Sequence, residues 1–183
     1  MEQQTQPSYW PSVMVGALII GLVMAVLGII SQYMTISSEP VGSSFTLAQG
    51  LGTFSCLVGA IGGFFATRHY ALENEITFPI GKGALIGFLT GVVGTVISTI
   101  IGLIWQFVVD PELNQAVYDW SVRNLEAQNL PAEQFEMALN FIPEPGSMST
   151  LLWGLGIGIV VLGILNLVSG IIGAKVFAKE EEF

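Results

Sequence analysis

Residues 83–109 read GALIGFLTGVVGTVISTIIGLIWQFVV, 27 consecutive positions without an Asp, Glu, Lys or Arg. A helix needs about 20 apolar residues to cross the hydrocarbon core of a bilayer, so this stretch can span and also tilt. It stops at Asp110-Pro111, where the proline disfavours helix in the residue before it. Working outward, residues 3–38, 40–67 and 145–174 are charge-free as well. The sequence therefore predicts an all-α integral membrane four-helix bundle, a single domain over residues 1–183. Its spans are expected near 11–33, 45–67, 80–109 and 149–177. Composition agrees, since 52% of residues are hydrophobic and 10% charged, against about 25% charged in a soluble domain.

The span ends carry their own signals. Pro11 suits a first helical position, and Tyr9 and Trp10 precede it where interfacial aromatics belong. The first apolar run has no Lys or Arg before it and reads as a retained span rather than a cleaved signal. Ser43 and Ser44 are candidate caps for the second span, which is expected to exit at Arg68-His69-Tyr70. Gly16-Ala17-Leu18-Ile19 recurs as Gly83-Ala84-Leu85-Ile86. In a chain with 22 glycines this reads as coincidence more readily than as a two-plus-two repeat. Four spans put Arg68, Lys82, Lys175 and Lys179 on one side and only Arg123 on the other. Basic flanks favour the cytoplasm, so both termini are expected inside and the 34–44 and 110–148 loops outside.

Small residues fall at four-residue spacing along the spans: Gly59 and Gly63; Gly83, Gly87 and Gly91; Gly154 and Gly158; Gly170 after Asn166. Such ladders let helix backbones approach closely, which matters because lipid gives helices no hydrophobic reason to associate. They are read as packing residues. Asn166 is the most polar residue deep in any span and is expected to clamp onto a span-3 hydroxyl or a backbone carbonyl. Apart from Lys82 and Lys175 at span ends, no ionisable Asp, Glu, Lys or Arg lies within a span, which counts against an ion-coupled carrier.

Residues 110–148 read as an extracytoplasmic amphipathic helical hairpin. Its first helix, about 112–128, puts Leu113, Ala116, Val117 and Trp120 on one face. Glu112, Asp119, Arg123 and Glu126 form a charged stripe, with Asp119–Arg123 and Arg123–Glu126 at helical pair spacings. This stripe is the candidate partner surface. Asn129 suits a left-handed cap, and Pro131 opens the second helix with Glu133 in its first turn. Seven acids against Arg123 alone oppose attraction to anionic lipid. The hairpin is therefore expected to cap the bundle, with Trp120 and Phe135 inward.

Other function classes recede. A net charge of −9 with five Lys+Arg argues against nucleic-acid binding. Cys56 alone cannot form an intrachain disulfide, and His69 alone leaves no His-based metal cluster or catalytic triad. No catalytic, cofactor-binding or metal residue is expected, and Glu180-Glu181-Glu182 reads as a solvated tail. The reading is a small non-enzymatic membrane protein that packs with itself or a membrane partner. The alternative is a small transporter or channel lined by Gly, Ser, Thr and Asn166.

Several segments together resemble a bacterial family known as domain of unknown function 4199. They are Ile76-Thr77-Phe78, Gly81-Lys82-Gly83, Asp110-Pro111-Glu112, Pro131-Ala132-Glu133-Gln134 and Gly173-Ala174-Lys175. The resemblance covers nearly the whole chain. It implies four spans with a helical insertion before the last, in a bacterial inner membrane, and brings no activity or catalytic residue with it.

Overall fold

The structure, a computed structural model, describes residues 7–43 and 45–177. The readings placed on Ser44, Lys179 and Glu180-Glu181-Glu182 lie outside those residues. The described chain forms α1 (Trp10–Ser37), α2 (Leu47–Gly59), α3 (Gly62–Asn74), α4 (Ile80–Ile104) with a π-helical turn (Trp105–Val109), α5 (Leu113–Glu126), α6 (Ala132–Leu139) and α7 (Met148–Phe177). Four stretches are long and apolar enough to cross a membrane: Trp10–Ser37, Leu47–Asn74, Ile80–Val109 and Met148–Phe177. The chain is an all-α multi-pass membrane protein.

The second span differs from expectation in three ways. Its cap is Thr46, not Ser43: the Thr46 hydroxyl accepts from Gln49 N–H while Gln49 Oε1 accepts from Thr46 N–H. Ser43 instead donates to Phe45 C=O. This reciprocal capping box satisfies two donors that would otherwise be orphaned at the helix start. The span is also broken, with α2 ending at Gly59 and α3 beginning at Gly62. Finally, α3 runs through Arg68-His69-Tyr70 to Asn74 rather than leaving the bundle there. Tyr70 explains the extension. Its ring is fully buried against Phe78, centroids 5.2 Å apart, and its hydroxyl donates to Pro7 C=O.

The apolar core gathers Val13, Ala66, Tyr70, Ala71, Phe78, Ile86 and Ala174 towards the end of the bundle where α1 and α4 begin. α4 is the central helix, packed against α7 on one side and α1 on the other, with α3 between α1 and α7. The two Gly-Ala-Leu-Ile segments make the same kind of contact. A Cβ at Gly16 would meet Gly62 C=O and Ala66 Cβ, and one at Gly83 would meet Gly170 C=O and Ala174 Cβ.

At the far end of the bundle the hairpin docks unevenly. Trp120 is 4% exposed and Leu113 1%. Phe135, expected inward beside Trp120, is only half-buried, and α6 buries no residue completely. The short helix lies against α5, so its apolar face is covered on one side only. Asn129 has φ 52° and ends the α5 segment in the left-handed conformation the sequence anticipates.

Candidate functional site

Three polar constellations sit on this frame. The deepest is the break in the second span. Asn166 of α7 is fully buried. Its Oδ1 accepts from Gly63 N–H at 2.7 Å, and its Nδ2 donates to Gly59 C=O and Leu162 C=O, each at 2.9 Å. Gly59 and Gly63 are four residues apart, the carbonyl acceptor and the N–H donor of one ordinary helical rung. The side-chain amide takes the place of that rung. It carries one acceptor and two donors, so it can satisfy both freed backbone groups. The sequence offers Asn166 a span-3 hydroxyl or a backbone carbonyl; its side chain bonds to carbonyls and to a backbone N–H that sequence reading missed, and to no span-3 hydroxyl among the described residues.

The packing glycines surround this clamp. A Cβ on Gly63 or Gly87 would strike Asn166 C=O, and one on Gly91 would strike Leu162 C=O. Gly170 and Gly83 face each other across α4 and α7, and Gly59 faces Met24 Sδ and Leu162. Gly158 meets only Thr95 Cγ2, at 3.0 Å, and Gly154 meets nothing within 4 Å. The ladder therefore closes along the α4–α7 seam and opens at the first turns of α7, where the packing expected of Gly154 is not made within the chain. Gly16, Gly21, Gly94, Gly163 and Gly173 also stand against neighbours. Gly21 and Gly94 lie on four-residue stripes of their own, Ala17-Gly21-Ala25 and Gly94-Ser98-Gly102, whereas Gly16, Gly163 and Gly173 fall outside the ladders.

The second constellation joins the hairpin to the α1–α2 loop. Trp120 Nε1 donates to Ser38 C=O at 2.7 Å. Asn124 Oδ1 accepts from Gly42 N–H at 3.0 Å, and its Nδ2 donates to Ser43 C=O at 3.1 Å. Gly42 adopts φ 71°, and a Cβ there would strike the Ala127 backbone, so only glycine fits. Nearby, Tyr33 donates to Asp110 Oδ2 at 2.6 Å and accepts from Trp105 Nε1 at 3.2 Å. Sequence reading missed Asn124 and the Tyr33–Asp110 bond, because partners about 80 residues apart leave no periodic trace. Glu112, Asp119, Arg123 and Glu126 are all exposed. Arg123 does not pair with the Asp119 carboxylate; its Nε donates to Asp119 C=O, and Asp119 Oδ1 accepts from Gln115.

The third lies at the opposite end. His69 Nδ1 is 3.0 Å from Ser12 Oγ, and His69 Nε2 is 3.0 Å from Glu73 Oε2. The order Ser–His–Glu resembles a hydrolytic relay, but the ring is turned the other way: in such a relay Nε2 faces the serine and Nδ1 the carboxylate. Ser12 is also 2% exposed inside the first turns of α1, so a substrate cannot reach its hydroxyl. The relay ties α1 to α3. Lys82 lies beside the Tyr9 and Tyr70 rings, 5.9 and 5.1 Å from their centroids. Among the described residues no three His, Cys, Asp or Glu side chains stand close enough to share a metal ion.

A family model described as "Protein of unknown function (DUF4199)" matches residues 16–177, from the first turns of α1 to the end of α7. The chain belongs to this family. The match takes in all four DUF4199 spans, the Asn166 clamp and both hairpin helices. No curated protein and no solved structure matches the chain.

Proposed function

We propose that this DUF4199 protein is a small non-enzymatic membrane scaffold of a bacterial inner membrane, with both termini cytoplasmic. Its bundle holds α5 on the extracytoplasmic side, where Glu112, Asp119, Arg123 and Glu126 meet a second copy or another membrane protein. The observation that supports this reading is how the buried polar side chains are used. Asn166, Thr67, Thr90 and Thr95 all bond to helix backbone. No buried side-chain nitrogen or oxygen among the described residues lacks a partner. The fully buried side-chain polar atoms thus offer a substrate no uncommitted group, whereas the carboxylates of Glu112 and Glu126 on the surface bond to no described residue. The same observation weighs against a transporter or channel, which would need polar groups facing a path.

The test is site-specific photocrosslinking in intact cells, with the crosslinker placed at Asp119 or Glu126. A discrete adduct, to a second copy or to one partner, is the expected result. Adducts only from a lipid-facing control at Leu152, and none from α5, would overturn the reading.

A further inference from the structure

We propose that the groove between α1 and α3 is a binding site for an anionic phospholipid, with the lipid phosphate on Arg68. The groove is lined by Val15 and Ile19 of α1 and by Phe65, Arg68, His69 and Leu72 of α3, with Glu73 at its rim. Its depth in the bilayer follows from one contact. His69 is bonded to Ser12 Oγ, and Ser12 lies just beyond Tyr9 and Trp10, so Arg68 and His69 stand at the interfacial level where α1 begins. Val15, Ile19 and Phe65 lie deeper and are partly exposed, forming an apolar wall for an acyl chain.

The charges decide the headgroup. Arg68 is exposed, and its guanidinium makes no hydrogen bond or ion pair with any described residue. Its planar fork matches phosphate oxygens bidentately. The carboxylate among the described lining residues, Glu73, is held by His69 Nε2, one helical turn beyond His69 and away from the apolar wall. A basic group above an apolar groove between spans recognises an anionic lipid head. Zwitterionic phosphatidylcholine offers the same phosphate with a cation that competes for it. Inorganic phosphate lacks the chain that would fill the groove.

Native mass spectrometry of the full chain in mild detergent, with phosphatidylglycerol, phosphatidylcholine or inorganic phosphate added separately, tests this. The wild type is expected to bind phosphatidylglycerol in preference to phosphatidylcholine. Arg68→Gln is expected to lower phosphatidylglycerol affinity about fivefold, the contribution of one basic residue at an anionic surface. Arg68→Lys, which keeps the charge and loses the fork, is expected to fall between the wild type and Arg68→Gln. Unchanged affinity in Arg68→Gln overturns the proposal, as does a loss in Arg68→Lys equal to that in Arg68→Gln. Arg68-dependent binding of inorganic phosphate alone would make this a soluble-anion site and also overturn it.

Discussion

Gly63 donates its backbone N–H to Asn166 Oδ1 at 2.7 Å, across 103 positions of sequence. The bond sits where α2 gives way to α3, and the same amide returns a donor to Gly59 C=O. A helix interrupted in hydrocarbon must have its freed backbone groups satisfied by neighbours. Here one side chain on α7 satisfies both. Gly63 must be glycine for this to work, because a Cβ would collide with the Asn166 backbone. The break and the close approach of α3 to α7 are thus one feature.

Replacing Asn166 with Leu is expected to be costly. Measured interhelical hydrogen bonds average about 0.6 kcal/mol, but this amide supports two backbone groups that have no other partner among the described residues. Each buried group left unpaired costs about 1–3 kcal/mol. Asn166→Leu should lower the melting midpoint in mild detergent well below that of Ser98→Ala, whose hydroxyl is only half-buried and makes one long bond to Thr95 C=O. Equal midpoints for the two variants would mean that the second span closes its own rung.

At Gly87 the argument is steric. A side chain there must displace the α7 backbone at Asn166, whereas Leu85 is exposed towards lipid. Gly87→Leu should therefore unfold or loosen the bundle, measured by melting and by protease sensitivity, while Leu85→Ile should be nearly neutral. Comparable stability for both would remove the α4–α7 seam as the organising contact.

How far the sequence is legible follows from the range of each signal. Charge-free windows and four-residue ladders are local patterns, so the four spans, the Asp110 stop and the seam along Gly83, Gly87 and Gly91 could be read directly. The break at Ala60-Ile61 could not. Val58, Ala60 and Ile61 are ordinary span residues, and only Asn166 on another helix reveals why the ladder parts there. The same holds for Asn124 and for Ser12–His69, whose meaning lies in partners distant along the chain. Phe135 shows the opposite error: periodicity assigned it an inward face, but α6 is too short and too peripheral to be covered on both sides.

Gly154 separates bundle packing from self-association. No described residue lies within 4 Å of a Cβ placed there, so Gly154→Leu should leave the melting of the solubilised monomer within about 0.5 kcal/mol of wild type. Chemical crosslinking in membranes provides the second measurement. An unchanged melt with loss of a crosslinked dimer would assign the first turns of α7 to a self-contact; a strongly lowered melt would contradict the open surroundings of this glycine.

Orientation is measurable by cysteine labelling in sealed cells. Cys56 is exposed, so the background should be Cys56→Ser. Single cysteines at Ser43 and Asn129 are expected to react with an impermeant maleimide added outside, and one at Glu73 only after permeabilisation. Labelling of the Glu73 position in sealed cells would invert the topology inferred from Arg68, Lys82 and Lys175.

The docking of α5 is the last expectation. Two side chains fasten it to the α1–α2 loop: Trp120 through its indole N–H to Ser38 C=O, and Asn124 through both ends of its amide to Gly42 and Ser43. Truncating a buried tryptophan costs about 3–5 kcal/mol from lost burial and the cavity left behind, and here a hydrogen bond is lost as well. Because α5 lies at one end of the bundle, that cost should be felt as local undocking rather than global unfolding. Trp120→Ala should expose the hairpin to protease while the four spans stay assembled. Asn124→Ala should do so to a lesser degree, by leaving Gly42 N–H and Ser43 C=O unpaired. Glu126→Gln changes an exposed carboxylate that bonds to no described residue, and should leave the fold unchanged. Fluorescence of a variant retaining Trp120 as its one tryptophan reports the docking directly. A protein-packed indole resists both aqueous iodide and lipid-borne quenchers. Free quenching by iodide would mean that α5 is detached, and quenching chiefly from lipid would mean that it lies on the bilayer instead of on the α1–α2 loop.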